Sequence, residues 1–171
     1  MRTELKYGLM FGFAVIAYVM VEHFMGFNTV RHDIGEYTRL GGIVIPLVAL
    51  FFGIREKRNR DLMGHMTLVQ GVKAGVLIAL VQTTLTTVFF LLYAEFINPD
   101  FLNTVIEYQR AKMAQAGALE NEIKAAVDQI RTMYSVPLQP VFQMTIGLLY
   151  GTVFSAIFSL FLRKEPAAER V

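Results

Sequence analysis

The chain has 171 residues, of which 54% are hydrophobic and 18% are charged, and its mean hydropathy is +0.46. A soluble domain is about 45–50% apolar and about 25% charged, so this composition favours a membrane protein. The absence of cysteine excludes disulfides, thiolate metal sites and cysteine nucleophiles, and a net charge of +2 is too small to favour nucleic acid as a partner.

The apolar residues are concentrated in four blocks, which predicts an all-α integral membrane bundle of four transmembrane helices. The blocks are residues 7–25, 38–54, 66–97 and 141–162. Charged stretches separate them, and the whole chain, residues 1–171, is short enough to form a single domain.

Two of the blocks have unusual features. The second is shorter than the ~20 residues of a typical span and contains Pro46, which is tolerated where neighbouring helices satisfy the freed carbonyl. Arg2 and Lys6 precede the first block, as in a signal peptide, but no small-residue cleavage site follows. We therefore predict that the first helix is retained.

Basic residues predict the orientation of the spans, because cytoplasmic loops carry the excess of lysine and arginine in membrane proteins. The turn REKRNR, residues 55–60, lies between the second and third blocks and is the strongest single determinant. Further basic residues then fall on the same side of the membrane: Arg2, Lys6, Arg163, Lys164 and Arg170. We expect both termini to be cytoplasmic.

The connector 98–140 is then extracytoplasmic and has an amphipathic helical pattern. Asn98 and Pro99 indicate a helix start, since asparagine caps helices and proline favours the first helical position. Beyond Gly117, apolar residues recur at three- and four-residue spacing until the prolines of SVPLQP end the pattern. The segment is either a helical hairpin lying on the membrane or on a partner subunit, or a gate or docking surface.

Three blocks carry the G-x-x-x-G spacing, which permits close approach of membrane helices. The third block extends it into a ladder of small residues from Gly71 to Thr87, and the fourth into a ladder from Gly147 to Ser159. We predict that these two helices pack antiparallel along the ladders; the alternative is that glycine is simply common in membrane helices. The candidate packing positions are Gly8, Gly12, Gly71, Gly75, Ala79, Gly147, Gly151 and Ser155.

The third block also contains Gln70, Lys73 and Gln82, which are costly inside a bilayer. A helix advances about 100° per residue, so Gln70 shares a face with Lys73, whereas Gln82 points about 180° from the lysine. Lys73 is only about 10 Å from Met66, so its ammonium can reach the headgroups or an anionic lipid. The alternative is a buried lysine that pairs with a carboxylate on an ion path.

The remaining polar candidates are Glu22 and His23 near the outer end of the first block, and Glu95 and Asn98 near that of the third. A carboxylate–histidine pair there would titrate near neutral pH, whereas the simpler interpretation is that both helix ends emerge into the headgroups. No ligand spacing supports a metal site, and no phosphate loop, nucleophile elbow or haem motif is visible. We expect no cofactor and no enzymatic activity.

Four sequence segments give the chain a recognisable pattern: YGLMFGF, GGIVIPLVALFFGIREKR, TLVQGVKAGVLIALVQTTLTTVFFLLYAEFINPDFL and LLYGTVFSAIFSLFLRK. Over nearly the whole chain this pattern resembles the bacterial family of four-span membrane proteins of unknown function numbered 4199 (DUF4199). Its most specific part is QGxKxG at residues 70–75 followed by NPDF at residues 98–101. The resemblance implies a multi-pass protein of the bacterial inner membrane and carries no established activity.

These features favour a non-enzymatic assembly, stabilising or regulatory subunit that acts through helix packing. The alternative is a small oligomeric transporter or channel that uses the polar intramembrane residues, and it needs several copies because four helices enclose little space. Expected partners are the lipid bilayer, with an anionic lipid as a candidate, and either further copies of the chain or another membrane protein.

Overall fold

The computed structural model describes residues 2–164; Met1 and residues 165–171, which include Arg170, lie outside the described residues. Within the described part the chain forms six α-helices and no β-strand. The helices are α1 (Thr3–Phe24), α2 (His32–Glu56), α3 (Leu68–Leu92), α4 (Phe101–Gln115), α5 (Glu120–Met133) and α6 (Leu138–Leu162). π-helical turns continue α2 through Lys57–Asp61 and α3 through Tyr93–Ile97.

Four of these helices, α1, α2, α3 and α6, are long and apolar enough to cross a membrane. The 25 residues of α3 extend about 37 Å, which exceeds the ~30 Å thickness of a hydrocarbon core. The shorter and more polar helices α4 and α5 form the segment between the third and fourth spans. The predicted all-α bundle with four membrane-spanning helices is confirmed.

α2 begins at His32, ahead of the apolar block that starts at residue 38, because contacts with α4 hold its first turns. The ring of His32 lies 5.5 Å from the ring of Tyr108 on α4. The carboxylate of Glu36 binds the ammonium of Lys112 at 2.6 Å, and this hydrogen bond raises the pKa of Lys112. These are tertiary contacts, so no local apolar pattern predicts them.

α4 begins at Phe101 rather than at Pro99, and the side chain of Asn98 does not cap it. Its side-chain amide donates to the carbonyl of Asn28 and to the hydroxyl of Tyr93, both at 3.0 Å, instead of capping the helix. Gly117, with a φ of +77°, turns the chain from α4 into α5, as glycine does after many helix ends.

α3 is the central helix of the bundle and packs against α1, α2 and α6. Two glycines of α1 allow the close contact on one side of it. A Cβ added at Gly8 would lie 2.6 Å from Cβ of Val81, and one at Gly12 would lie 2.8 Å from Cδ2 of Leu85. On α3, Ile78 is fully buried in the core that this packing creates.

The contact between α3 and α6 consists of small residues, and we call it the small-residue seam. Its facing pairs are Gly71 with Ser159, Gly75 with Ser155, Ala79 with Gly151, and Thr83 with Gly147. Residue numbers rise by four along α3 as they fall by four along α6, so the helices are antiparallel and keep one register. A Cβ added at any of the four glycines would overlap the opposite side chain.

A short bridge continues this register beyond the helices, at the end of the bundle where α1 begins and α6 ends, which we call the near end. The N–H of Met66 donates to the carbonyl of Lys164 at 2.8 Å, and the N–H of Lys164 returns a hydrogen bond at 3.0 Å. The opposite end, which carries α4 and α5, is the far end.

We expect Gly75→Ala to destabilise the protein by about 1–3 kcal/mol, because the added methyl group overlaps the side chain of Ser155 and overpacks the seam. Combining it with Ser155→Gly should restore most of the loss, since the two positions share one space. The measurement is helix loss by circular dichroism as a denaturing detergent is titrated into the solubilised protein. Thr84→Val, on the exposed face of α3, is the control; strictly additive losses in the double variant would contradict the pairing.

Candidate functional site

A cavity of about 510 Å³ lies beside the small-residue seam, between α2, α3, α5 and α6. Its walls are mainly apolar, with Leu47 and Leu50 on α2, Phe90 on α3, and Phe142 and Phe154 on α6. No charged or histidine side chain of residues 2–164 lines it. Its volume is within the ~300–1,000 Å³ of typical small-molecule sites.

Uncharged polar groups project from these walls. Gln82 and Gln139 are 6% and 8% exposed, respectively, and both line the cavity. The Nε2 of Gln139 donates to Oε1 of Gln143 at 2.7 Å, whereas the Oε1 of Gln139 is buried without a hydrogen-bond partner. An unpaired buried amide oxygen costs free energy, and this one has almost no surface accessible from the cavity.

A proline lies in the wall of the cavity. Pro46 lies inside α2 and lines the cavity, as does Gly42 one turn before it. Proline has no N–H, so it cannot donate the helical hydrogen bond that the carbonyl of Gly42 would otherwise accept from position 46.

The end of α5 covers the far end of this cavity. Met133 and Tyr134 are part of its lining. The ring of Tyr134 lies 6.2 Å from that of Phe90 on α3 and 5.7 Å from that of Phe101 on α4. This aromatic cluster attaches the α4–α5 hairpin to the membrane-spanning body.

The polar residues predicted on α3 are on different faces and have different surroundings. The Oε1 of Gln70 accepts the N–H of Thr67 at 2.9 Å, and Thr67 accepts the N–H of Gln70 in return, so the pair caps the start of α3. Lys73 is exposed and pairs with no carboxylate in residues 2–164. Gln82 faces the cavity, so these three residues do not form one polar path.

A hydrogen-bond network joins α1, α2 and α3 at the far end; we call it the far-end network. Glu22 on α1 is 5% exposed. Its carboxylate accepts hydrogen bonds from Thr38 Oγ1 at 2.5 Å and from Asn28 Nδ2 at 3.4 Å. Glu22 is thus held inside the protein, and its surroundings differ from those of an emerging helix end.

Tyr93 is the centre of the same network. Its side chain is fully buried, and its hydroxyl lies 3.0 Å from both Nδ1 of His23 and Nδ2 of Asn98. Glu22 and His23 therefore have different partners and do not form a carboxylate–histidine pair. Glu95, in the π-helical turn after α3, is exposed.

Ion pairs hold the near end together. Lys57 bonds Glu4 at 2.8 Å and Asp61 at 2.9 Å, which joins the start of α1 to the turn after α2. Glu56 accepts from Lys6 at 3.0 Å and from the hydroxyl of Tyr7 at 2.7 Å. The basic turn at residues 55–60 is thus partly engaged in intramolecular pairs.

No group of three or more histidine and acidic side chains in the described residues is placed to hold a metal ion. The sequence analysis missed Tyr93 and Asn28 in the network, and Gln139 and Gln143 in the cavity. Two glutamines four residues apart at the start of an apolar span share a helix face, which is a usable signal. No local signal marks Asn28, because its role depends on the packing of its loop under Asn98.

We expect Tyr93→Phe to lower the free energy of unfolding by about 1–3 kcal/mol, because Asn98 and His23 lose a buried partner. Amide exchange in residues 25–31, the loop held by this network, should become faster. Detergent unfolding and hydrogen-exchange mass spectrometry measure the two effects. Tyr37→Phe, at a side chain that is 76% exposed, is the control, and equal behaviour of the two variants would contradict a structural role for the network.

Comparisons with known proteins place this architecture in a family. A family model described as a protein of unknown function (DUF4199) matches residues 6–164, which include almost all of the six helices. Neither a search of curated proteins nor a search of solved structures found a match. Because the family model covers far more than half of the chain, the protein belongs to the DUF4199 family.

Proposed function

We propose that this protein is a non-enzymatic assembly, stabilising or regulatory subunit of the bacterial inner membrane. The observation that carries the proposal is the internal use of the small-residue faces. Lipid gives helices no hydrophobic reason to associate, so close packing of small residues must supply the cohesion. Here both the α1–α3 contact and the small-residue seam supply it within one chain.

The distribution of polar groups supports the same role. A conduit needs polar groups in line from one end of the bundle to the other. In the described residues, the near-end ion pairs, Lys73, the cavity and the far-end network are separate sites. A partner would therefore bind to the remaining surface or to the cavity, because the glycine faces of α1, α3 and α6 are packed against one another.

Both termini are cytoplasmic in this proposal. The basic residues support it, because lysine and arginine near the ends of spans determine orientation whereas acidic residues contribute little. The intramolecular pairs of Lys57 and Arg60 with acidic residues therefore do not weaken the signal. The α4–α5 hairpin is then on the periplasmic side.

Because the chain has no cysteine, single-cysteine variants report orientation cleanly. In intact bacterial cells we expect a membrane-impermeant maleimide to label Gln115→Cys and to leave Asn59→Cys unlabelled until the inner membrane is permeabilised. Both positions are exposed in the structure, so access is decided by the side of the membrane. The reverse pattern would overturn the orientation, and the cysteine-free parent is the blank.

The second candidate is a small oligomeric transporter, and the position of Lys73 favours it. The lysine is exposed on a membrane-spanning helix and has no carboxylate partner within residues 2–164. In a ring of several copies, this face of α3 could line a shared axis. The snorkelling interpretation instead places the ammonium among lipid headgroups.

Native mass spectrometry of the gently solubilised protein distinguishes the two candidates. If Lys73 snorkels, Lys73→Met should leave the copy number and the unfolding midpoint unchanged, as should the control Leu77→Met on the same exposed face. Copurification of one defined partner would support the subunit role. A homo-oligomer that Lys73→Met dissociates and Leu77→Met does not would overturn it in favour of the transporter.

A further inference from the structure

We propose that the near end binds the phosphate of an anionic phospholipid through the cations Arg58, Arg163 and Lys164, which we call the α6-end cluster. This inference goes beyond the subunit role, because it concerns a lipid headgroup. It depends neither on a protein partner nor on the orientation of the spans.

The fold brings these cations together from two distant parts of the chain. Nη1 of Arg58, in the turn after α2, donates to the carbonyl of Leu162 at 3.1 Å, so its guanidinium lies at the peptide bond that precedes Arg163. The main-chain bridge from Met66 holds Lys164 against the segment that leads into α3. Both contacts use main-chain atoms at the end of α6, and Arg163 and Lys164 are exposed.

The acidic side chains of the near end are engaged with other cations. Glu4 and Asp61 pair with Lys57, and Glu56 pairs with Lys6 and Arg60. Within residues 2–164, neither these acids nor any other carboxylate pairs with the α6-end cluster. The fold thus neutralises one group of basic residues at this end and leaves the second group without a counter-charge.

Like charges held at one place repel one another, and α6 itself offsets only part of this repulsion. The C-terminus of a helix carries a partial negative charge of about half an elementary charge, which is less than the charge of the cluster. Arg58 bonds Leu162 through Nη1 and Asn59 through Nε, and its Nη2 makes no hydrogen bond to the described residues. That nitrogen and the side chains of Arg163 and Lys164 can donate to an anionic oxygen, and phosphate suits such charge-assisted hydrogen bonds.

Apolar surface beside the cluster favours a lipid over a soluble anion. Leu160 and Phe161 are 52% and 81% exposed, respectively, in the last turn of α6. The cluster therefore lies where the apolar surface of this span ends, which is the depth of the headgroups. An anionic phospholipid can place its phosphate on the cations and an acyl chain on these two side chains, whereas the cation of a zwitterionic headgroup opposes the attraction.

Fluorescence quenching in vesicles tests the proposal, because the chain has no tryptophan. Phe161→Trp places a single reporter beside the cluster in the full chain. The vesicles mix phosphatidylglycerol and phosphatidylcholine, and one or the other carries brominated acyl chains that quench tryptophan. We expect phosphatidylglycerol to be enriched about five-fold at this reporter, as one basic residue near an anionic surface allows. Leu149→Trp, in the middle of α6, should show no enrichment.

Charge variants in the reporter background assign the enrichment to the cluster. Arg163→Gln combined with Lys164→Gln should abolish it, since the main-chain contacts that shape the site remain. Arg163→Lys combined with Lys164→Arg keeps the charge and should retain it. Lys124→Gln combined with Arg131→Gln removes the same charge from exposed positions of α5 and should also retain it.

Two measurements need no charge variant, so they decide the matter if a variant does not fold. Raising the salt concentration should lower the enrichment, because salt screens exposed charges. Replacing chloride by inorganic phosphate at constant ionic strength should leave it unchanged. Enrichment that is independent of salt would overturn the proposal, and loss in inorganic phosphate would mean that a free anion is the ligand.

Absence of enrichment at Phe161→Trp, equal enrichment at both reporters, or enrichment that survives the double glutamine variant of the cluster would each overturn the proposal. Glu165 and Glu169 follow the cluster and lie outside the described residues. If their carboxylates neutralise the cations, the parent will show no enrichment, and Glu165→Gln combined with Glu169→Gln will gain it. That result would also overturn the proposal.

Discussion

The structure depends on one physical constraint: lipid gives helices no hydrophobic drive to associate, so close approach of their backbones must supply much of the cohesion. The small-residue seam meets this constraint along most of α3 and α6, and Gly8 and Gly12 of α1 meet it on the neighbouring side of α3. α3 thereby becomes the axis on which the other spans pack. Each of these close contacts has a small residue on at least one side, so a methyl group added at one of the glycines overlaps the facing side chain.

Polar interactions then fix the two ends of this packed body. Near-end ion pairs tie the start of α1 to the turn after α2, and the far-end network ties α1 and α2 to the end of α3 through Tyr93 and Asn98. Between them lies the cavity, lined by α2, α3 and α6, and within residues 2–164 the polar groups that line it are uncharged. The proposed subunit role is consistent with this division, in which packed ends and the small-residue seam form one body.

The three polar residues of α3 show how far sequence reasoning extended. Helical geometry separated Lys73 from Gln82 and placed Gln70 beside the lysine, and the structure has the same arrangement around the helix axis. Helix geometry did not predict the hydrogen-bond partners and the surroundings of these side chains. Gln70 caps its own helix through Thr67, and Gln82 faces a cavity that exists only because α2, α5 and α6 pack around it. Asn98 looked like a helix cap by residue type, but it makes no side-chain cap, and its side-chain amide donates to Asn28 and Tyr93 instead.

The sequence by itself determined that the chain is an all-α protein with four membrane-length helices. Hydropathy and segment length are local properties, and the bilayer requires apolar segments of this length to be helical. The small residues at four-residue spacing also indicated which helix faces come together, since spacing alone defines a face. Only the tertiary structure decided which polar side chains meet, where Glu22 and Tyr93 are buried, and where Gln139 is left with an unused acceptor. These features arise from distances between residues far apart in the chain, and no local pattern encodes such distances.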